Sequence, residues 1–286
     1  MEFANKEKKR VYFLPEFQSE LVKYFDENSD ATLILSFDSF IGRKTNIDFS
    51  KLLEINYRKI CIVGNHNNPD EFKSLLKSEI LTELDNRDLT LEYDFKNFPN
   101  LEILILSWHK KCSNISECVK LLELSLWAYK PKSQDLKEFS SLKSLKELRI
   151  IQSNIKTISG IENLQNIREM IFIGNRSLSF EDVDVVFPNV EVLYIESCKG
   201  IRIEKVVAMF PNVKDLNFFS SVEIESLRVI LDNLKKLEIL NVYDLKISET
   251  DNRYWKDYKN LKLLNFQDRK HQILKRKDFP EYQNCR

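Results

Sequence analysis

Glycine is scarce in this chain, five residues in 286, and no GxGxxG or GxxxxGK[ST] string occurs. Phosphate-cradling loops need glycines where backbone meets ligand, so nucleotide sites of those kinds are excluded. Histidine is rarer still, with His66, His109 and His271 alone. None stands at ligand spacing from a second candidate, so no metal site is expected and general-base chemistry has few candidates. The five cysteines, Cys61, Cys112, Cys118, Cys198 and Cys285, form no CxxC pair. An odd, scattered set reads as isolated thiols of a reducing compartment and not as a disulfide framework. No GxSxG nucleophile elbow is present either. Such an elbow would place a serine for acyl transfer. No catalytic residue and no cofactor are expected.

Long apolar runs are also missing. Pieces such as Ile103-Leu104-Ile105-Leu106 are strand-sized, far below the roughly 20 residues that span a bilayer. Residues 1–10 are charged and lack an apolar stretch, so no secretory leader is expected and the cytoplasm is the expected location. Neither sign of charge prevails, with 44 basic and 44 acidic residues. A balanced chain has no net field to draw counterion-coated nucleic acid or anionic membrane, and neither is expected as a partner.

What the chain does have is a repeat. An apolar residue, two variable ones, an apolar one, a variable one and another apolar one recur as Leu101-Leu104-Leu106, Leu121-Leu124-Leu126, Leu145-Leu148-Ile150 and Ile167-Met170-Phe172. The series continues as Val190-Leu193-Ile195, Val213-Leu216-Phe218, Leu237-Leu240-Val242 and Leu261-Leu264-Phe266, with starts 20, 24, 22, 23, 23, 24 and 24 residues apart. A fixed period of this length predicts stacked structural units that bury their apolar faces against one another. A second echo precedes the strands: Phe98-Pro99-Asn100, Phe187-Pro188-Asn189 and Phe210-Pro211-Asn212, with Leu142 and Leu164 in the phenylalanine's place. Proline disfavours helix in the residue before it and leads the chain into the strand.

These strings resemble the leucine-rich-repeat family, whose unit reads LxxLxLxxN/C. The resemblance implies an α/β solenoid: a curved parallel sheet on the concave side and short helices or irregular segments on the convex side. It also implies that the ninth-position side chain, best matched by Asn175 and Cys198, bonds backbone in the turn after the strand. His109, Tyr129, Ser153, Ser221, Leu245 and Arg269 stand at the other ninth positions and depart from the pattern.

Between strands the spacing turns helical. Val183, Val186 and Phe187, then Val206, Val207 and Phe210, then Leu227, Ile230, Leu231 and Leu234 each predict a short helix, so units from about Leu145 onward read as strand–turn–helix. The stretch from Asn86 to Tyr129 has shorter connections and predicts extended or 3₁₀ segments. Upstream, Leu33-x-Leu35, Ile60-x-Ile62 followed by Asn65, and Leu89-x-Leu91 read as three degenerate strands, making about eleven in all. Pro15 to Glu27 reads as a helix with Phe17, Leu21, Tyr24 and Phe25 on one face. The whole chain is then one domain: an N-terminal helical cap over 1–30, degenerate repeats over 31–95, regular repeats over 96–268, and a basic cap or tail over 269–286. Tyr254 and Trp255 are expected to pack under the last repeat.

Strand side chains alternate faces, so positions three, five and seven of each unit point away from the core. Those positions are more apolar and aromatic than a sheet facing water requires, and such a band marks an interaction site. Trp108, Trp127, Tyr129, Arg149, Ile151, Ile173, Tyr194, Glu196, Phe219 and Tyr243 are the candidate partner-binding residues. Tryptophan, tyrosine and arginine are the side chains that most often anchor interfaces. A non-enzymatic module that is monomeric alone and holds a protein on its sheet is the expected function. Two alternatives share that surface. One is a bacterial immunity protein that neutralises a toxin by masking it. The other is an adaptor of F-box type, since Leu14-Pro15-Glu16 with Leu21 and Phe25 resembles the start of an F-box. Some leucine-rich-repeat proteins carry a ubiquitin-ligase domain, but here the repeats occupy nearly the whole chain.

Overall fold

Each repeat string becomes a short strand that pairs with its successor in the same register. The computed structural model describes residues 2–37, 49–64, 79–87 and 91–282, which fall into two compact units, Met1–Trp127 and Ala128–Arg286. In the first unit β1 (Phe3–Asn5) and β2 (Arg10–Tyr12) form an antiparallel hairpin. Parallel strands β3 (Thr32–Ser36), β4 (Lys59–Val63), β5 (Glu83–Asn86), β6 (Ile103–Ser107) and β7 (Glu123–Trp127) follow in chain order. Fourth-position residues align across them: Leu33 with Ile60, Leu84, Leu104 and Leu124.

The second unit repeats this plan. β8 (Glu147–Ile151), β9 (Glu169–Ile173), β10 (Val192–Glu196) and β11 (Asp215–Phe219) stack in parallel. After a short β12 (Glu223–Ile224), β13 (Ile239–Asn241) continues the sheet. After β14 (Lys246–Ile247), β15 (Leu263–Asn265) does the same. β12 and β14 pair with each other as a separate ribbon. Leu148, Met170, Leu193, Leu216, Leu240 and Leu264 form one aligned row. A parallel neighbour requires a return connection of a dozen or more residues, and the 20–24-residue period supplies one per turn. Both units therefore carry the leucine-rich-repeat fold.

Positions one, four and six are buried in repeat after repeat, as in Leu101, Leu104 and Leu106 or Val213, Leu216 and Phe218. The residue three before the first position is buried too, and its carbonyl accepts the first-position N–H in a tight turn: Phe98 to Leu101, Leu142 to Leu145, Leu234 to Leu237. Each such side chain contributes about 1.5–3 kcal/mol by leaving water, which an isolated repeat with no neighbour forgoes.

The connections match the sequence reading in part. Residues Phe95–Asn97 and Ile115–Glu117 are 3₁₀ turns, as the short spacing predicts. The stripe at Val206, Val207 and Phe210 belongs to a helix, Ile203–Met209, and that at Leu227 to Leu234 holds a shorter one, Arg228–Leu231. Val183, Val186 and Phe187 do not form one. Val183 and Phe187 are buried and Val185 is half-buried, while Asp184 and Val186 between them are exposed, an alternation of period two that marks extended chain. Three valines resist helix at χ1 and Pro188 bars it at Phe187. Instead the Phe187 N–H donates to the Met209 carbonyl at 2.7 Å. Strand–turn–helix is thus the form of two connections in this unit, not of all.

The ends also differ from expectation. The N-terminal cap is not purely helical: the hairpin β1–β2 precedes the helix α1 (Gln18–Glu27), and β2 pairs in parallel with β3. Leu21 and Phe25 are buried on α1, whereas Phe17 and Tyr24 are half-buried. Among the described residues this region holds one α-helix and a hairpin, followed by β3 and β4, where the F-box resemblance implies three helices. The third degenerate strand lies at Glu83–Asn86, not at Leu89-x-Leu91, where Leu89 falls outside the described residues. It went unread because its sixth position is Asn86, a buried amide that donates to the Tyr93 hydroxyl at 2.8 Å. Asn65, His66 and Cys285 also lie outside the described residues. The stretch after Arg269 is an ordered cap in its described part: Phe279 and Tyr282 are buried, stacked 6.0 Å apart, and Phe279 packs on Trp255. Trp255 is fully buried against Phe266 at 4.9 Å, as expected of a residue under the last repeat.

Candidate functional site

The face opposite the core is built from positions three, five and seven. In the first unit Trp127 ends β7 with its side chain 37% exposed, and its carbonyl accepts the Trp108 N–H at 2.7 Å. Trp108 itself is half-buried just beyond β6. Glu83 and Asp85 stand on β5, with Arg87 clasping Asp85 at 3.1 and 3.2 Å. Burial raises the Glu83 carboxyl above its usual range, and Lys59 at 3.9 Å counters it only in part.

In the second unit the candidates gather on β8 to β11. Arg149 reaches Glu147 at 2.5 Å and Glu169 at 2.8 Å, so one guanidinium bridges two carboxylates on paired strands. The Tyr194 and Phe219 rings meet at 5.4 Å on adjacent strands, and the Tyr194 hydroxyl donates to Glu196 at 2.8 Å. Burial, then that carboxylate, pushes the Tyr194 hydroxyl up to about 12, so it remains a donor at any physiological pH. Ile173 lies half-buried beside Glu196, its register partner. Tyr243 follows β13 at 42% exposure. Further along, Asn217, Asn241 and Asn265 align, and the Asn265 amide donates to Asn241 at 2.8 Å.

Two predicted site residues are not on offer. Ile151 keeps only 8% of its surface, lying beside its register partner Ile173. Tyr129 is 1% exposed, its ring 5.2 Å from Phe139 and its hydroxyl bonded to Glu138 at 2.9 Å. The cause is backbone geometry at the position before it. Ala128, Gln152, Gly174 and Ser197, all eighth-position residues, have φ of 54°, 53°, 69° and 55°. Their N–H groups donate to the seventh-position carbonyls of the next strands, Ile151, Ile173, Glu196 and Phe219. A left-handed residue breaks the strand's alternation, so the ninth side chain turns under the sheet. Tyr129 fills that place as a core residue, while Asn175 and Cys198 fill it with backbone bonds.

A second ladder escaped the sequence reading although its signal was in view. The asparagine of each Phe-Pro-Asn echo donates its amide across one coil: Asn100 to Glu79 at 2.6 Å, Asn189 to Gln165 at 2.8 Å and Asn212 to Pro188 at 2.9 Å. Asn166 and Asn260 do the same to Lys143 and Lys235. The recurrence of the tripeptide, and not only of its proline, carried the information.

The Cys61, Cys118 and Cys198 thiols are pushed up to about 11, 12 and 11, chiefly by burial, which suppresses the thiolate. Among the described residues no three His, Cys, Asp or Glu side chains are grouped to hold a metal ion. A cleft of about 280 Å³ lies away from the sheet face, between Leu231, Leu234, Leu237, Tyr258 and Leu261, and its lining holds no histidine or cysteine.

No protein-family model matches the chain, and no curated protein matches it in sequence. Solved structures do align with it. An internalin, InlF, from Listeria monocytogenes is 18% identical over 91% of this chain and 86% of its own, with a TM-score of 0.45. The plant peptide hormone receptor RGFR1, solved in complex with RGF2, is 15% identical over 90% of this chain and 46% of its own, at a TM-score of 0.42. The functional domain of InlJ from Listeria monocytogenes is 15% identical over 85% of this chain and 59% of its own, at 0.38.

Proposed function

We propose that the chain is a non-enzymatic protein-binding module that receives its partner on the outward sheet face of Ala128–Arg286. The observation that carries this is the aromatic group on that face: Tyr194 and Phe219 in ring contact at 5.4 Å, with Tyr243 42% exposed on the next coil. Aromatic rings turned to water on a rigid sheet have a standing cost that burial against a partner relieves. The strand ladder fixes their spacing before binding, so little ordering entropy is lost on association. The free, buried thiols at Cys61, Cys118 and Cys198 support a working place in a reducing compartment such as the cytoplasm.

The test is affinity capture from the source cells with the intact chain, beside a Phe219→Glu, Tyr243→Glu double variant. Loss of a captured protein by the variant, with an unchanged thermal melt, is the expected result. An identical set of captured proteins would remove the face from consideration.

A further inference from the structure

The charges on this face do not balance, although those of the whole chain do. Positions three, five and seven from β8 to β15 hold four carboxylates, Glu147, Glu169, Glu196 and Asp215, against one cation, Arg149. Arg149 is already shared between Glu147 and Glu169. Asp215 is met by the Asn217 amide at 2.7 Å and Glu196 by the Tyr194 hydroxyl at 2.8 Å, both neutral donors. The strand entrances show the contrast, since the carboxylates there have lysine partners: Glu191 with Lys214 and Glu238 with Lys262. Among the described residues no cation pairs with Asp215 or Glu196 on this face.

The placement is specific. On β11 and β10, Phe219 stands beside its register partner Glu196, and the Tyr194 ring, in contact with Phe219, stands at the level between Glu196 and Asp215. A lysine or arginine suits that arrangement, since its aliphatic stem packs on a ring while its head reaches a carboxylate. Building on the binding role proposed above, we infer that the partner presents a basic segment to this face, with lysine or arginine side chains beside an apolar one. Burial and the nearby Glu169 raise the Asp215 carboxyl above its usual range against the pull of Asn217, as expected of an anion short of a counter-charge.

A random phage-displayed peptide library panned on the intact chain tests this. Enriched peptides should combine Lys or Arg with an apolar residue and weaken as salt rises. Their binding should fall about tenfold on Asp215→Asn or Glu196→Gln, the loss of one charge-assisted contact. Glu223→Gln, on the separate ribbon, should leave it unchanged. Acidic or neutral consensus peptides, equal binding to the variants, or no enrichment would each overturn the inference. So would sedimentation showing that the chain pairs with itself through the same carboxylates. If acidic or neutral peptides win but still need Phe219 and Tyr243, only the charge reading falls. If the double variant captures what the native chain does, the face itself falls.

Discussion

Asn175 closes on Ile150 from one coil away, its amide donating to the Ile150 carbonyl at 2.7 Å while its own oxygen accepts the Ser153 N–H at 2.9 Å. Ile150 lies near the end of β8 and Ser153 in the turn after it, and the asparagine is fully buried. Its side chain thus supplies the bonds that the backbone loses when it leaves the strand. Asn175→Ala would orphan a carbonyl and an N–H in a dry interior, each costing about 1–3 kcal/mol. The expected loss is about 2–4 kcal/mol in urea unfolding, with Asn175→Asp no better because the carboxylate cannot donate. A loss below about 0.5 kcal/mol, the level of an ordinary surface change, would show that water replaces the amide.

Gly160 is a glycine the repeat does not announce and the fold cannot replace. Its φ is 109°, and a Cβ there would sit 2.3 Å from the Lys137 Cα and 2.4 Å from the Lys137 nitrogen. Gly160→Ala therefore meets backbone as well as forbidden φ, and should cost about 3 kcal/mol or more. Gln152, by contrast, already endures φ of 53° without being glycine. Gln152→Gly relieves a left-handed residue whose strain is about 1–2 kcal/mol while adding chain entropy of about 1 kcal/mol to the unfolded state. A change between none and about 1 kcal/mol of added stability is expected, read from paired melts. If the alanine variant melted like the native chain, the close packing at Lys137 would be wrong.

The period, the core positions and the inward alternation were legible because each rests on side-chain type at fixed spacing. Leu148, Leu193 and Leu216 declare themselves by being leucine. What was not legible rests on backbone. The left-handed eighth position is held by alanine, glutamine, glycine and serine, which share no chemistry, so the turn that rotates Tyr129 inward left no mark in the sequence. Likewise Asn86 hid β5 by putting an amide where the pattern demands an apolar residue. On the face itself, the residue types were readable, but the sharing of Arg149 by two carboxylates, which leaves Asp215 unmatched, needed the register.

That difference separates two aromatic residues adjacent in the notion of a binding band. Tyr129→Ala empties a core site against Phe139 and should cost about 3–5 kcal/mol. Trp127→Ala, at 37% exposure, should change unfolding by about 1 kcal/mol or less, the range of partly exposed positions. Chemical denaturation of the two variants side by side decides it. Equal losses would return Tyr129 to the surface or place Trp127 in the core.

Asp215 should weaken the fold near neutral pH, and removing its charge should strengthen it. Burial raises its carboxyl first and Glu169 raises it further, while Asn217 works the other way. A carboxyl whose folded pKa lies above its unfolded value favours the folded state most fully when protonated. That advantage is complete below the unfolded value of about 3.9 and fades as pH rises through the folded one. At pH 7 the ionised group therefore stands as a net cost. Asp215→Asn keeps the shape and still accepts the Asn217 amide, so its melting temperature should exceed the native one at pH 7. The gap should close as pH falls below about 4. A variant less stable at neutral pH would mean that a cation already answers Asp215. A carboxylate kept at a cost to stability is better explained by what it binds than by what it holds together.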